Sequence, residues 1–492
     1  MDTNQALTSK GIKPEGATND KFPYWLLITL IVFGTVMITW QLVLCKSACS
    51  IGDMWTYMSA WENLRRLHPD PMRPPVYPIL LGCTHDLFGA YASGCVMMVL
   101  QWSIWIAGCR WSWLILRHFN VGRQTSSVVI LLLMAFPGTW VLNNLLQTDG
   151  LATGGMPLLI WQLIKYRESR QKKWITRSGL LLLAYLFLKP QFIFLIPLWG
   201  IAWIYTTFRE KKNRLWAAGI VVVAVGALAV YQWTLHHCYR QTYLSKVTPI
   251  NNYYGLRMAG LIHVDEIADS TSRELLRPFI EADSGTDLPD YYLYWSEIWT
   301  VTPKQLDDIW KQTYALHRTE VHAFIWHRIP QSLNYNIFYR IGHNRRATTD
   351  TDIAYYEALQ EQPVPDEPCI VSGRNLFKAT PQAVGTLIYP LYGIMEIPFW
   401  FAWLAMTLFS IWYCIKWYKR KTFPVVPFFM ASILWGGYIV VFVGAPCDWG
   451  RLVTPYCMIL FIICGIIISN VKKTLSGRRL GRRGFASLGK VA

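Results

Sequence analysis

Residues 24–44 read YWLLITLIVFGTVMITWQLVL, a run of 21 residues without a charge. At a helical rise of about 1.5 Å per residue the run covers a hydrocarbon core of about 30 Å. It is too long for a signal-peptide core, and Cys45-Lys46-Ser47-Ala48-Cys49 follows with no small-residue cleavage site, so it reads as an uncleaved first membrane span. The rest of the chain repeats the pattern. Apolar stretches run about 92–116, 125–146, 150–166, 176–188, 190–208, 215–234, 397–415, 424–444 and 452–470, which makes ten spans. An eleventh is counted if residues 75–90 cross; His85-Asp86 within them fits a helix on the outer leaflet better.

Composition agrees with this reading. Only 16% of the 492 residues are charged, 53% are hydrophobic and 15% aromatic, which disfavours a soluble enzyme and excludes a disordered chain. A mean hydropathy of +0.23 is too low for spans alone and implies a sizeable polar region as well. The net charge of +17 does not point to nucleic acid, because the basic residues sit in short runs between apolar spans and form no aromatic-interleaved face. They alternate instead. Lys10, Lys13 and Lys21, then Arg110, Arg117 and Arg123, then Lys165 to Arg177, Arg209 to Arg214, Lys416 to Lys421 and the tail from Lys472 fall on one side and hold 27 of the 47 Lys and Arg. By the positive-inside rule that side is cytoplasmic, and both termini with it.

The expected architecture is an all-α polytopic membrane protein. A cytoplasmic tail (1–23) leads into an N-terminal transmembrane module (24–234) with a first outer loop at 45–91. An outer-face domain (235–396), C-terminal transmembrane helices (397–470) and a basic cytoplasmic tail (471–492) follow. Residues 235–385 carry 14 Lys and Arg against 18 Asp and Glu, so this outer segment is mildly acidic. Within it Pro303 to Ile341 reads as one helix after the Thr302-Pro303 start signal. The cysteines show no metal-binding spacing.

Ionisable residues beside membrane segments are most often functional. Asp53, in Gly52-Asp53-Met54-Trp55, is the acid nearest the first span; it is a candidate base and, in the plainer reading, a helix cap. Arg73-Pro74-Pro75-Val76-Tyr77-Pro78 holds an Arg fork on a stiffened chain, suited to bidentate phosphate binding; interfacial anchoring by Arg73 and Tyr77 is the plainer alternative. Gln147-Thr148-Asp149-Gly150 opens another span, with Asp149 as cap or functional acid. Lys189-Pro190 puts an ammonium where hydrocarbon would be costly, so it calls for an anion or for snorkelling to the interface; Asp448 and Arg451 precede the last span.

Taken in order, an acid in the first loop, Arg-Pro-Pro-x-Tyr-Pro, Thr-Asp, Lys-Pro and a late Arg resemble the GT-C glycosyltransferases, and among them the protein O-mannosyltransferases and the lipid A aminoarabinose transferases. The resemblance spans about 24–208 and, more loosely, 397–470. It departs from the family in carrying a single Asp53 where an adjacent acid pair is usual, and in an outer segment that matches no family domain. It implies an inverting transferase of the bacterial inner membrane that moves a sugar from a polyprenyl-phosphate donor to a protein, lipid or glycan acceptor on the outer face. Asp53 and Asp149 would be catalytic, and Arg73, Tyr77, Lys189 and Arg451 would hold the donor phosphate. A divalent cation, Mg or Mn, shared by Asp53 and Asp149 stays open, with the metal-free reading favoured. An O-antigen-type polymerase or ligase would instead depend on Arg257, Arg328, His343, Arg345 and Arg346, and a transporter would show paired halves, which the sequence does not.

Overall fold

The structure, a computed structural model, describes residues 21–45, 53–71, 73–209, 211–239, 243–282, 300–334, 399–444 and 452–488. These residues are helical throughout, with short 3-10 turns and no β-strand among them. Seven helices are long and apolar enough to cross a membrane: Tyr24–Val43, Ala92–His118, Pro190–Arg209, Arg214–Tyr239, Phe399–Arg420, Val425–Phe442 and Thr454–Leu475. Their outward faces suit lipid. Val222, Val223, Val230 and Trp233 on the helix α9 (Arg214–Tyr239) are uncovered, which water would penalise and acyl chains would not.

The remaining expected spans show why the numbers differ. The stretch 125–146 is a bent pair, α4 (Arg123–Ala135) and α5 (Pro137–Asn144), with a 61° change of direction. Phe136 precedes a proline and is forced extended, at φ −74° and ψ 112°, so α4 stops there. Counted as one span, the pair makes eight. Helices α6 (Thr148–Ser169) and α7 (Lys172–Leu188) form where spans are expected. However, α6 is polar at both ends and buried along most of its length, so neighbouring helices and not lipid are its solvent. Helix α7 has only 17 residues.

Helix α6 packs closely on α3 (Val76–His118). Glycines make the approach possible: a methyl on Gly154 would collide with the Ile104 carbonyl, and one on Gly108 would come within 2.5 Å of the Gly154 oxygen. Gly108 and Gly154 thus form a seam that lets α3 and α6 touch through their backbones, while Gly150, one turn before Gly154, meets the Leu142 carbonyl and the Gln101 side chain. Around the seam Trp102, Trp105, Trp113, Trp199 and Trp203 are buried. Two of them have tied indole N–H groups, Trp102 to Asn144 Oδ1 (2.8 Å) and Trp199 to Ser178 Oγ (2.8 Å). Within α3 the segment 76–88 is helical but breaks from the following span at Gly89, whose φ of +79° only glycine adopts without strain.

A second, separate apolar cluster is built from α10 (Tyr243–Met258), α11 (Ser270–Ala282), α12 (Pro303–Leu316) and α13 (Arg318–Asn334). It includes Tyr253, Leu256, Ile262, Leu276, Leu306 and Val321. The expected single helix from Pro303 is two. Thr302 begins α12 with a full capping box to Gln305, as the start signal implies, but the helix ends at His317, where φ is −115°, and a new one begins at Arg318. Residues 335–341 lie outside the described residues.

Candidate active site

Helices α3, α4, α6, α7 and the C-terminal α16 (Cys457–Leu488) orient the molecule. Their charged ends meet: His118 Nδ1 lies 3.5 Å from Glu168 Oε1, Lys473 Nζ donates to the Asn120 carbonyl (2.8 Å), and the Tyr166 hydroxyl donates to the Lys212 carbonyl (3.2 Å). Four of the basic segments are therefore gathered at one end. Since α6 runs from Thr148 to Ser169 and α7 from Lys172 to Leu188, Asp149 and Lys189 lie at the opposite end.

There they find each other. Lys189 Nζ donates to Asp149 Oδ1 at 2.7 Å. The aspartate side chain is 2% exposed and the lysine side chain 19%, so this is a buried ion pair and not a surface one. Pro190 sets it up by holding Lys189 extended (φ −157°, ψ 131°), which stops α7 and turns the chain into the 3-10 turn Pro190–Phe194. Asp149 does not cap α6, because the N-cap is Gln147. Asp149 stands in the first turn, where the helix dipole favours its charge.

Tyr77 and Tyr456 both lie within electrostatic range of Asp149. The buried Tyr77 hydroxyl donates to Gln101 Oε1 at 3.3 Å, while Gln101 Nε2 donates to the carbonyls of Asn143 (2.9 Å) and Leu145 (2.7 Å), just before α6. Gln101 thereby fixes the start of α3 against the start of α6. On its other side the Tyr77 ring lies 4.7 Å from that of Tyr57, and the Arg73 guanidinium lies 4.6 Å over the Tyr57 ring. Arg73 Nε also donates to Thr56 Oγ1 at 2.6 Å, and its backbone N–H donates to Asp70 Oδ1 at 2.8 Å.

Of the residues singled out in the sequence, the structure pairs Asp149 with Lys189, leaves Tyr77 within electrostatic range of Asp149 and links Arg73 to Tyr77 through Tyr57. Asp53 opens α2 (Asp53–Arg65) one turn before Thr56 and Tyr57; its side chain, like all of Arg451, Asp448, His343, Arg345 and Arg346, lies outside the described residues. So does the side chain of Arg328. Arg257 is buried in the second cluster, where it donates to the Phe279 carbonyl at 3.1 Å. A lysine ammonium occupies one Asp149 oxygen, and the side chain of Asp53, the acid expected to share a cation with it, lies outside the described residues.

Sequence reasoning passed over Gln101, Tyr456 and Asn143, and took Tyr57 only as the end of the Gly52-to-Tyr57 stretch around Asp53. Asn143 is buried with neither side-chain polar atom bonded to the protein, and the same is true of Thr148 Oγ1. The signal was present: Gln101 and Asn143-Asn144 are amides inside apolar stretches, where a polar side chain is costly unless used.

No family model matches the chain, and no curated protein matches its sequence. Among solved structures, it is similar to the archaeal oligosaccharyltransferase AglB from Archaeoglobus fulgidus in complex with an inhibitory peptide and a dolichol-phosphate. The identity is 12% and the TM-score 0.41, over 94% of this chain and 52% of that one, so the chain spans about half its length. A likeness this distant leaves the site to be read from its own residues.

Proposed function

We propose that the protein is a membrane glycosyltransferase that moves a sugar from a polyprenyl-phosphate donor to an acceptor hydroxyl at the membrane face opposite its basic loops. The observation that carries the reading is the buried Asp149–Lys189 pair at 2.7 Å, within electrostatic range of Tyr77 and at the end of the helix bundle opposite the basic loops. A lipid donor suits that place, because its tail can lie between helices while its phosphate meets cations at the rim. By the charge rule that rim faces outward, in a bacterium across the inner membrane.

The chemistry assigns the roles. Asp53 accepts the acceptor's proton as the hydroxyl oxygen bonds to the anomeric carbon. The bond from that carbon to the phosphate oxygen breaks in the same displacement, so configuration inverts through an oxocarbenium-like transition state. The leaving lipid phosphate gains charge, which Lys189, Arg73 and Arg451 balance; each charge-assisted contact is worth about 1.5–3 kcal/mol. Tyr77, whose hydroxyl proton is committed to Gln101, positions Arg73 through the Tyr57 ring. Asp149 fixes the Lys189 side chain by its hydrogen bond until phosphate arrives and then orients the acceptor. A magnesium or manganese ion would be held through the second Asp149 oxygen and Asp53, and no step above requires one.

The test is donor consumption. Membranes with wild-type or Asp53→Asn protein at matched levels are given labelled polyprenyl-phosphate sugars, and released lipid phosphate is measured. A fall of about 100-fold or more in the variant is expected for loss of a general base. Equal turnover removes Asp53 from the mechanism, and no turnover by either protein across a broad donor panel overturns the reading.

A further inference from the structure

We propose that His263, Glu266 and His317 form a binding site for one transition-metal ion of the zinc class, lying in the second helical cluster and separate from the Asp149–Lys189 site. Their ligand atoms lie within 4.8 Å of one another, and among the described residues they are the only trio of His, Cys, Asp or Glu so placed. His317 Nε2 and Glu266 Oε2 are 2.6 Å apart, and the rings of His263 and His317 have centroids 5.5 Å apart. Bonds of about 2.0–2.2 Å from zinc to imidazole nitrogen or carboxylate oxygen put tetrahedral ligands about 3.3–3.5 Å from each other. Side-chain rotation would bring the ligand atoms to that spacing, with the ion taking the place of the hydrogen bond between His317 and Glu266.

The donor set selects the metal. Two imidazoles and one carboxylate suit zinc and its first-row neighbours, whereas calcium and magnesium require oxygen ligands. Three protein ligands leave a fourth position for water, and His263 and Glu266 are exposed enough for an ion to enter from solvent.

The backbone is already fixed for the purpose. His263 and Glu266 bracket the 3-10 turn Val264–Glu266, closed by the Glu266 N–H donating to the His263 carbonyl at 3.1 Å. His317 sits at the end of α12, its N–H donating to the Thr313 carbonyl at 2.8 Å. Gln312 clamps the two segments together: its Nε2 donates to the Glu266 carbonyl, and its Oε1 accepts from the Ala268 N–H at 3.0 Å. The turn and the helix end are thus held in register by bonds that do not involve the ligand atoms, which is the preorganisation a metal site needs. The break at His317 that splits the expected helix is also what delivers the third ligand.

Full-length protein in detergent is stripped with chelator, incubated with Zn2+ alone, desalted and assayed for metal by mass spectrometry. Wild type is expected to retain about one zinc per chain and to melt at a higher temperature with zinc than without. His263→Asn, Glu266→Gln and His317→Asn should each lose retention, with affinity falling more than about 100-fold, since even the partners that merely orient metal ligands are worth 10–100-fold. Cys238→Ser should behave as wild type. Co2+ loaded into wild type should give visible bands of a tetrahedral site without thiolate charge-transfer absorption, a readout independent of whether any variant folds. No retained zinc in wild type, equal retention in all three ligand variants, or a thiolate signature overturns the site.

Discussion

Lys189 and Asp149 each carry a charge that the interior tolerates only because the other is there. Removing one partner strands the other, so Lys189→Met should cost about 3–5 kcal/mol of stability. Replacing both, as Lys189→Met with Asp149→Leu, should recover most of the loss while abolishing the proposed transfer. Chemical or thermal unfolding in detergent measures both, and a double variant no better than the single would mean that the pair is not coupled. Arg73 makes a different demand, because its planar fork both bonds Thr56 and lies over Tyr57. Arg73→Lys keeps the charge and loses the fork, and should raise KM for the donor about 10-fold, the value of one charge-assisted bond. Both members of the buried pair stood out in the sequence as ionisable residues at span ends. Their union did not, because they are 40 positions apart and meet only through the packing of α6 on α7.

Elements depend on how closely their backbones approach. Gly154→Ala would press a methyl into the Ile104 carbonyl, a backbone atom that cannot rotate away, and should cost about 1–3 kcal/mol. Gly200→Ala, whose new methyl would meet only Val221 Cγ2 at 3.5 Å, should change the melting temperature little. A comparison of the two melting curves separates packing from helix propensity, which favours alanine at both sites. Thr302→Ala removes a capping box and should cost about 0.5–2 kcal/mol, read as loss of helicity in the second cluster. Helix starts were legible in the chain: Thr302-Pro303 and the apolar run from Tyr24 begin helices as expected. Stops were harder. His317 is no helix breaker, and apolar spacing continues past it to Phe324 and Ile325, so the break there is imposed by tertiary contacts such as its bond to Glu266. The bend at Phe136-Pro137 was readable from the pre-proline rule, but an apolar run of span length conceals it.

Across the whole molecule, charge is sorted to one end and the candidate chemistry to the other. At the basic end the Glu168 carboxyl is lowered to about 2 from an ordinary 4.5, first by its hydrogen bond to His118 and then by Lys165. A carboxyl whose folded value is depressed contributes stability above its ordinary value and loses it as pH falls toward the folded one. The difference in melting temperature between wild type and Glu168→Gln should therefore be full near about pH 5 and vanish near about pH 2. A constant difference over that range would mean that the carboxylate is not held by these partners. The membrane character of the chain was legible from apolar runs and alternating basic loops. The burial of α6 among other helices was not, because a helix solvated by protein need not be apolar.

On the proposed function, the rim around Asp149 and Lys189 receives a lipid-linked phosphate. The most direct measurement is equilibrium binding of a polyprenyl phosphate and of the corresponding polyprenol to purified wild-type protein in detergent, which requires knowledge of neither sugar nor acceptor. The phosphate is expected to bind at least about 10-fold more tightly than the alcohol, as a single charge-assisted contact would give, and the difference to shrink in Arg73→Gln. Equal affinity of the wild type for phosphate and alcohol would contradict the proposed function.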